Sequence, residues 1–188
     1  KVPFGTVSVT AKARKLIDQA LDAKWVTRGK YVQEFEEKFA DLFGVKYATA
    51  VSSGTDADAI ACASLYDFGA NRGDEIIVPA LTFVATGNAV LQAGFKPVFV
   101  DIRRETLNID PKKIEFAITS RTKGIMPVHL MGKPADMNAI MAIARKHHLY
   151  VIEDAAEAHG AEYYGKKIGA IGDMAAFSLY AAHIITTI

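Results

Sequence analysis

The 188-residue sequence predicts an α/β fold of three layers, α/β/α, built on a mostly parallel sheet. Short apolar runs alternate with helical patterns of about ten to fifteen residues, as βαβ units require. Several of those runs are apolar on both faces, as expected where helices cover both sides of a sheet. No internal repeat, low-complexity tract or linker interrupts the pattern. The length suits one domain that buries most of its chain surface.

The elements follow in order. An amphipathic helix is predicted after Thr10, with Leu16, Ile17, Ala20 and Leu21 on one face. A second runs through YVQEFEEKFADLF with Val32, Phe35, Phe39 and Phe43 as its stripe, and Gly44 stands where a C-cap is favoured. The run from Tyr47 to Val51 is a short strand candidate, followed by Ser52, Ser53, Gly54 and Thr55 and a helix through Tyr66. EIIVP is a buried strand ended by Pro79, and TFVATGNAVLQAG a helix closing at Gly94. PVFVD is a strand, and Asp110-Pro111 opens a helix as an N-cap and N1 pair. GIMPVHL is strand-like, PADMNAIMAIARKHH a helix, and LYVIED and MAAFSLY strands. AEYYGKKIGAIGD is polar and punctuated by glycine, a loop or short hairpin.

Composition excludes several classes. Apolar residues make up 51%, charged residues 23%, and the net charge is +1, which gives no basis for nucleic-acid binding. No stretch approaches the apolar length of a membrane span, and KVPFGTVSVT lacks a signal pattern. The single cysteine, Cys62, lies in an apolar helical pattern, where it serves as a small buried hydrophobe; one thiol also suits a reducing cytoplasm. Position 1 is not Met and the chain stops at HIITTI without a polar tail, so residues 1–188 are expected to be one large domain of a truncated chain.

Ligands of an open α/β sheet bind at the carboxyl ends of its strands. After the first strand candidate, Gly54 and Thr55 could receive a phosphate at a helix N-terminus, or the serines could simply cap the helix. Phe83 could stack on a flat ring or anchor the core. Asp154 ends an apolar strand and needs a donor or cationic partner; a protonated pyridine nitrogen would suit it, and a helix N-cap or a metal is the alternative. No paired ligand spacing supports a metal, and His129 is expected to be a satisfied core histidine. Ser178 could bind phosphate, and His183, five residues on, could be a general base or structural. A phosphate turn, a stacking aromatic, a carboxylate and a base at strand ends together make what a pyridoxal phosphate site needs.

The motif order resembles the DegT/DnrJ/EryC1/StrS sugar aminotransferase family. The matching stretches are FEEKFADLFGVKYATAVSSGTDA, GDEIIVPALTFVATGNAVLQAGFKPVFVDI, NIDPKKIEFAITSRTKGIMPVHLMGKPADM and VIEDAAEAHGAEYYGKKIGAIGDMAAFSLY, nearly the whole chain. The resemblance implies the large domain of the aspartate-aminotransferase fold, with the small domain absent. It implies pyridoxal 5'-phosphate or pyridoxamine 5'-phosphate as cofactor. Gly54, Thr55 and Ser178 would meet its phosphate, Phe83 its ring face, Asp154 its ring nitrogen and Glu157 the side of its ring hydroxyl. His159 would lie further out. A homodimer with a composite active site, acting on a nucleotide-linked sugar in the cytoplasm, is also implied.

The sequence departs from the family pattern at one position. Five residues after the serine, where the aminotransferases carry the Schiff-base lysine, stands His183. Imidazole cannot form that bond but can still exchange a proton. Family branches with histidine there include 3-dehydratases of nucleotide-linked 4-keto-6-deoxy sugars, so the substitution puts simple transamination in doubt and suggests dehydratase-type chemistry. An aminotransferase with an amino-acid donor, a non-catalytic or regulatory paralogue, and an engineered lysine replacement are the alternatives.

Overall fold

A computed structural model describes residues 9–25, 27–181 and 183. The strands are β1 (Glu75–Pro79), β2 (Lys96–Val100), β3 (Thr122–Ile125), β4 (Tyr150–Asp154), β5 (Glu162–Tyr163), β6 (Lys166–Lys167) and β7 (Met174–Ala176). The helices are α1 (Ala11–Asp22), α2 (Lys30–Phe43), α3 (Gly54–Ser64), α4 (Val84–Gln92), α5 (Pro111–Ala117) and α6 (Met137–His147). Five strands form one sheet in the order β2-β1-β3-β4-β7, and every neighbouring pair is parallel. The strand carboxyl ends therefore open on one edge of the molecule, as the sequence predicts. β5 and β6 form the separate short hairpin.

Strand alternation sends successive side chains to opposite layers. Ile77, Ile125 and Val151 pack into one buried cluster with Ile114, Met137 and Ile140 of α5 and α6. Ile76, Val78, Met126 and Ile152 pack into the other with Ala61 and Cys62 of α3 and Val90 of α4. Continuing the alternation along β4 puts Glu153 on the α5–α6 side and Asp154 on the α3–α4 side. Cys62 is fully buried, and burial pushes its thiol far above the ordinary range, which agrees with a structural role.

The local signals hold at most element ends. Gly44 caps α2 in the left-handed region at φ 69°, and Asp110 caps α5 with Pro111 in the first turn. α6 starts at Met137 under the Asp136 cap, so Pro134 stands before the helix. The α3 pattern tightens after Ser64 into a short 3-10 turn, Leu65–Phe68, which takes in Tyr66. GIMPVHL pairs as a regular strand only through Ile125, because Pro127 has no N–H to continue the ladder; its carbonyl instead accepts the Asp154 amide at 2.9 Å.

Two expectations are corrected. Tyr47–Val51 makes no strand pairing among the described residues; its tie is the Ala50 amide, which donates to Glu36 Oε1 at 2.9 Å. An apolar run of that length specifies extended backbone but not a neighbour to pair with. The Leu16, Ile17 and Leu21 stripe of α1 stays exposed, so amphipathicity there marks a face without fixing what covers it. The two chain ends, on which the expectation of a truncated chain rests, lie outside the described residues. No described helix is long and apolar enough to cross a membrane.

Candidate cofactor site at the strand ends

The N-terminus of α3 builds the first part of the site. Ser53 Oγ accepts the Asp56 amide at 3.1 Å, so the helix does have a serine cap. Ser52 and Ser53 hydroxyls both donate to the Asp56 carboxylate, which they hold below its ordinary pKa, Ser52 more strongly. Those hydroxyls are therefore engaged within the turn. The amides of Gly54 and Thr55 precede the first intrahelical donors and point out of the helix end, as the amides of an anion-binding helix start do.

Ser178 closes on this turn from β7. A Cβ built on Gly54 would lie 2.7 Å from Ser178 Cβ and 3.1 Å from its Oγ. Only glycine permits that approach, so Gly54 and Ser178 stand in close contact at the start of α3. Ser178 Oγ accepts the Tyr180 amide at 3.3 Å, which leaves its own proton available to an anion. The preceding Phe177 is wedged against Phe39 and Phe43 of α2, with ring centroids 5.2 and 4.6 Å away, so the aromatic stripe of α2 positions the serine.

Asp154 stands at the end of β4, 5% exposed. Thr86 Oγ1 of α4 donates to its Oδ2 at 2.7 Å, and the Ala156 amide reaches Oδ1 at 3.3 Å. Thr82 Oγ1 lies 2.8 Å from Thr86 Oγ1, tying the start of α4 into the same chain of hydroxyls. None of the ion pairs among the described residues includes Asp154, though His129 acts on it electrostatically and works against the rise in its pKa. Burial drives its proton affinity up, and the Thr86 bond only partly opposes this. The alternative of a helix N-cap does not apply, since no helix follows β4 directly. The described residues also contain no group of three or more His, Cys, Asp or Glu placed to hold a metal ion.

Phe83 lies at the N-cap of α4 and is 74% exposed. Its alternative as a core anchor is excluded. Glu157 lies beyond Asp154, half-buried, with Oε2 accepting the Met131 amide at 2.8 Å. His183 Nδ1 lies 3.3 Å from the Ser178 carbonyl, and its ring meets Tyr180 edge-on at 5.7 Å. A carbonyl only accepts, so Nδ1 is the donor in this contact, and in the neutral ring the lone pair is then on Nε2. His159 is buried against Phe177 at 5.1 Å with neither ring nitrogen hydrogen-bonded. Burial and, secondarily, His183 depress its pKa.

The donor set fits a phosphorylated pyridine: an amide turn with one free hydroxyl, an open aromatic face, and a buried carboxylate without a cation. The DegT/DnrJ/EryC1/StrS aminotransferase family matches residues 8–188. The chain belongs to that family. It is 48% identical over 175 residues to a GDP-perosamine synthase of Caulobacter vibrioides, covering 93% of this chain and 46% of that protein. It is 42% identical over 186 residues to the spore coat polysaccharide biosynthesis protein SpsC of Bacillus subtilis, covering 99% and 47%. Among solved structures, the Escherichia coli GDP-4-keto-6-deoxy-D-mannose-3-dehydratase with bound hydrated PLP superposes with a TM-score of 0.91 at 36% identity, over 99% of this chain and 49% of that one. The chain thus spans about half the length of the relatives it matches.

The structure joins Gly54 to Ser178 and places His183 beside Ser178. Three residues that matter here escape sequence reasoning: Thr86, Asp58 and Glu153 as a pair-former. Thr86 has a faint signal, since Thr82 and Thr86 are one helical turn apart beside Phe83. Asp58 has a clearer one, an acid four residues from Gly54 and four from Cys62 on an otherwise apolar helix face.

Proposed function

We propose that this chain is the pyridoxal or pyridoxamine 5'-phosphate-binding large domain of an enzyme acting on nucleotide-linked 4-keto-6-deoxy sugars, in polysaccharide or glycosylated-metabolite synthesis. The observation that carries the reading is Asp154: buried, hydroxyl-bonded by Thr86, and without a cation at the carboxyl end of a parallel strand. A ring N–H⁺ supplies the missing charge. When bound, the cofactor supplies an amine or aldehyde on a ring that withdraws electrons.

The chain's own residues then have defined tasks. The amides of Gly54 and Thr55 and the Ser178 hydroxyl hold the phosphate. Phe83 covers one ring face and keeps water from it. Asp154 keeps the ring nitrogen protonated, and Glu157 stands on the ring-hydroxyl side. His183 cannot take the role of a Schiff-base lysine, but its Nε2 can accept a proton and return it to substrate. That favours loss of the sugar C3 hydroxyl over simple amine transfer. A homodimer that completes the site, working in the cytoplasm, belongs to the same reading, supported by the family and by the uncovered apolar face of α1.

Incubating the holoenzyme with a 4-keto-6-deoxy nucleotide sugar and glutamate tests the reaction. The expected product has lost the C3 hydroxyl; a C4 amine as main product establishes the aminotransferase alternative. A protein that holds the cofactor but turns over neither way would be a binding or regulatory paralogue.

A further inference from the structure

Asp58 is a buried acid that the proposed chemistry does not use. It is 3% exposed, and its Oδ1 is buried without a hydrogen-bond partner. It lies on α3 one turn after Gly54 and one turn before Cys62, so the three share a helix face. Cys62 packs in the same cluster as Ile152, and Asp154 follows Ile152 on the same face of β4. α3 runs from the strand carboxyl ends inward, so stepping one turn back from Cys62 and two residues on from Ile152 brings Asp58 and Asp154 to one level. Their electrostatic interaction agrees: burial pushes the Asp58 carboxyl up to about 9, and the charge of Asp154 adds to the rise. An unpaired acid in this place costs stability, and Asp58 Oδ1 has no hydrogen bond among the described residues to offset it.

We propose that Asp58 is a positioning residue for Asp154, a second buried carboxyl that ionises when the positive ring nitrogen enters and thereby keeps that nitrogen protonated. The inference rests on the cofactor reading above. The step is a proton loss: the Asp58 O–H gives its proton to solvent, and no other bond changes. The ring nitrogen then loses its own proton from a site holding two negative charges instead of one, which is harder. Other titratable groups that reach the pair are Cys62 on α3, His129 after β3 and Glu157 after β4. α4 and β7, which also pack on α3, carry no titratable side chain.

The test is the ¹⁵N chemical shift of ring-labelled pyridoxamine phosphate bound to the holoenzyme, titrated with pH. Asp58→Asn keeps the shape but cannot ionise, so its ring nitrogen is expected to deprotonate about one pH unit or more below the wild type, tenfold in the dissociation constant. Asp58→Leu, which suits an apolar helix face, is expected to shift the same way and serves if the Asn variant does not fold. Variants that titrate together with the wild type overturn the proposal while leaving the cofactor reading intact. A wild-type protein that takes up no pyridoxamine phosphate overturns that reading and the proposal with it.

Discussion

Glu153 and Asp154 are consecutive buried carboxylates at the end of β4, and they face opposite layers of the sheet. Glu153 is saturated. Its oxygens accept the amides of Gly169, Ile171 and Gly172 at 3.0, 2.9 and 2.7 Å, and His129 Nε2 lies at 3.0 Å. His129 Nδ1 in turn accepts the Ala135 amide at 3.0 Å, so the core histidine expected from the sequence is satisfied on both sides. Burial works to raise the Glu153 pKa, but the His129 bond and the glycine amides outweigh it and leave it lowered. Asp154 has one hydroxyl and one long amide contact, and burial wins. Two buried neighbours therefore shift in opposite directions, burial prevailing at Asp154 and the converging donors at Glu153. The saturated acid ties the loop of residues 169–172 to β4, and the unsaturated one is the group to which the proposed function assigns the ring nitrogen.

The sharpest way to break this contrast is Glu153→Ala. It strands three amides and His129 in the core and should cost about 3–5 kcal/mol in urea unfolding. The pH signature follows from the sign. A lowered acid stabilises above its unfolded value and loses that stability as pH falls through the folded one. Glu153→Gln should therefore flatten the acid limb of the stability curve below about pH 4.5.

Asp58→Leu should move the other way. An acid raised to about 9 holds its proton in the folded state while the unfolded chain ionises. It thus costs stability progressively as pH rises from the ordinary Asp value toward 9, by at most about 4 kcal/mol at pH 7. The cofactor-free variant should melt higher than wild type at neutral pH and show a flatter slope across that window. Equal melting at pH 7 would place Asp58 in better solvated surroundings.

Gly54→Ala should push α3 from Ser178 and weaken pyridoxamine phosphate binding about tenfold or more, or about 1.4 kcal/mol, while scarcely touching pyridoxamine lacking the phosphate. Adding Ser178→Gly relieves the clash but removes the hydroxyl, so recovery should be partial. Thr86→Val is the mildest change. It removes the Asp154 bond for about 1 kcal/mol and should lower cofactor affinity several-fold by calorimetry.

The strand and helix order was legible because glycine and proline punctuate the apolar runs and because Asp110 and Gly44 cap their helices as their chemistry predicts. Gly54, Phe83, Asp154, Ser178 and His183 entered as site candidates through the motif resemblance, and they remain candidates. The donors that separate Glu153 from Asp154 were not, since Gly169, Ile171 and Gly172 reach Glu153 from a loop, and Thr86 reaches Asp154 across 68 residues. Periodicity marks which face is buried but carries no information about which crossover helix will cover it. For the same reason the α1 stripe was visible while its exposure was not.

The central claim is that Asp154 is an unsaturated carboxylate built for a protonated ring nitrogen. Equilibrium binding of pyridoxamine 5'-phosphate to wild-type and Asp154→Asn protein, followed by cofactor absorbance, tests it most directly. The account predicts saturable wild-type binding with a protonated-ring spectrum, and at least about tenfold weaker binding by the variant with the proton lost. Equal affinity and identical spectra in the two proteins, or no binding by the wild type, would contradict it.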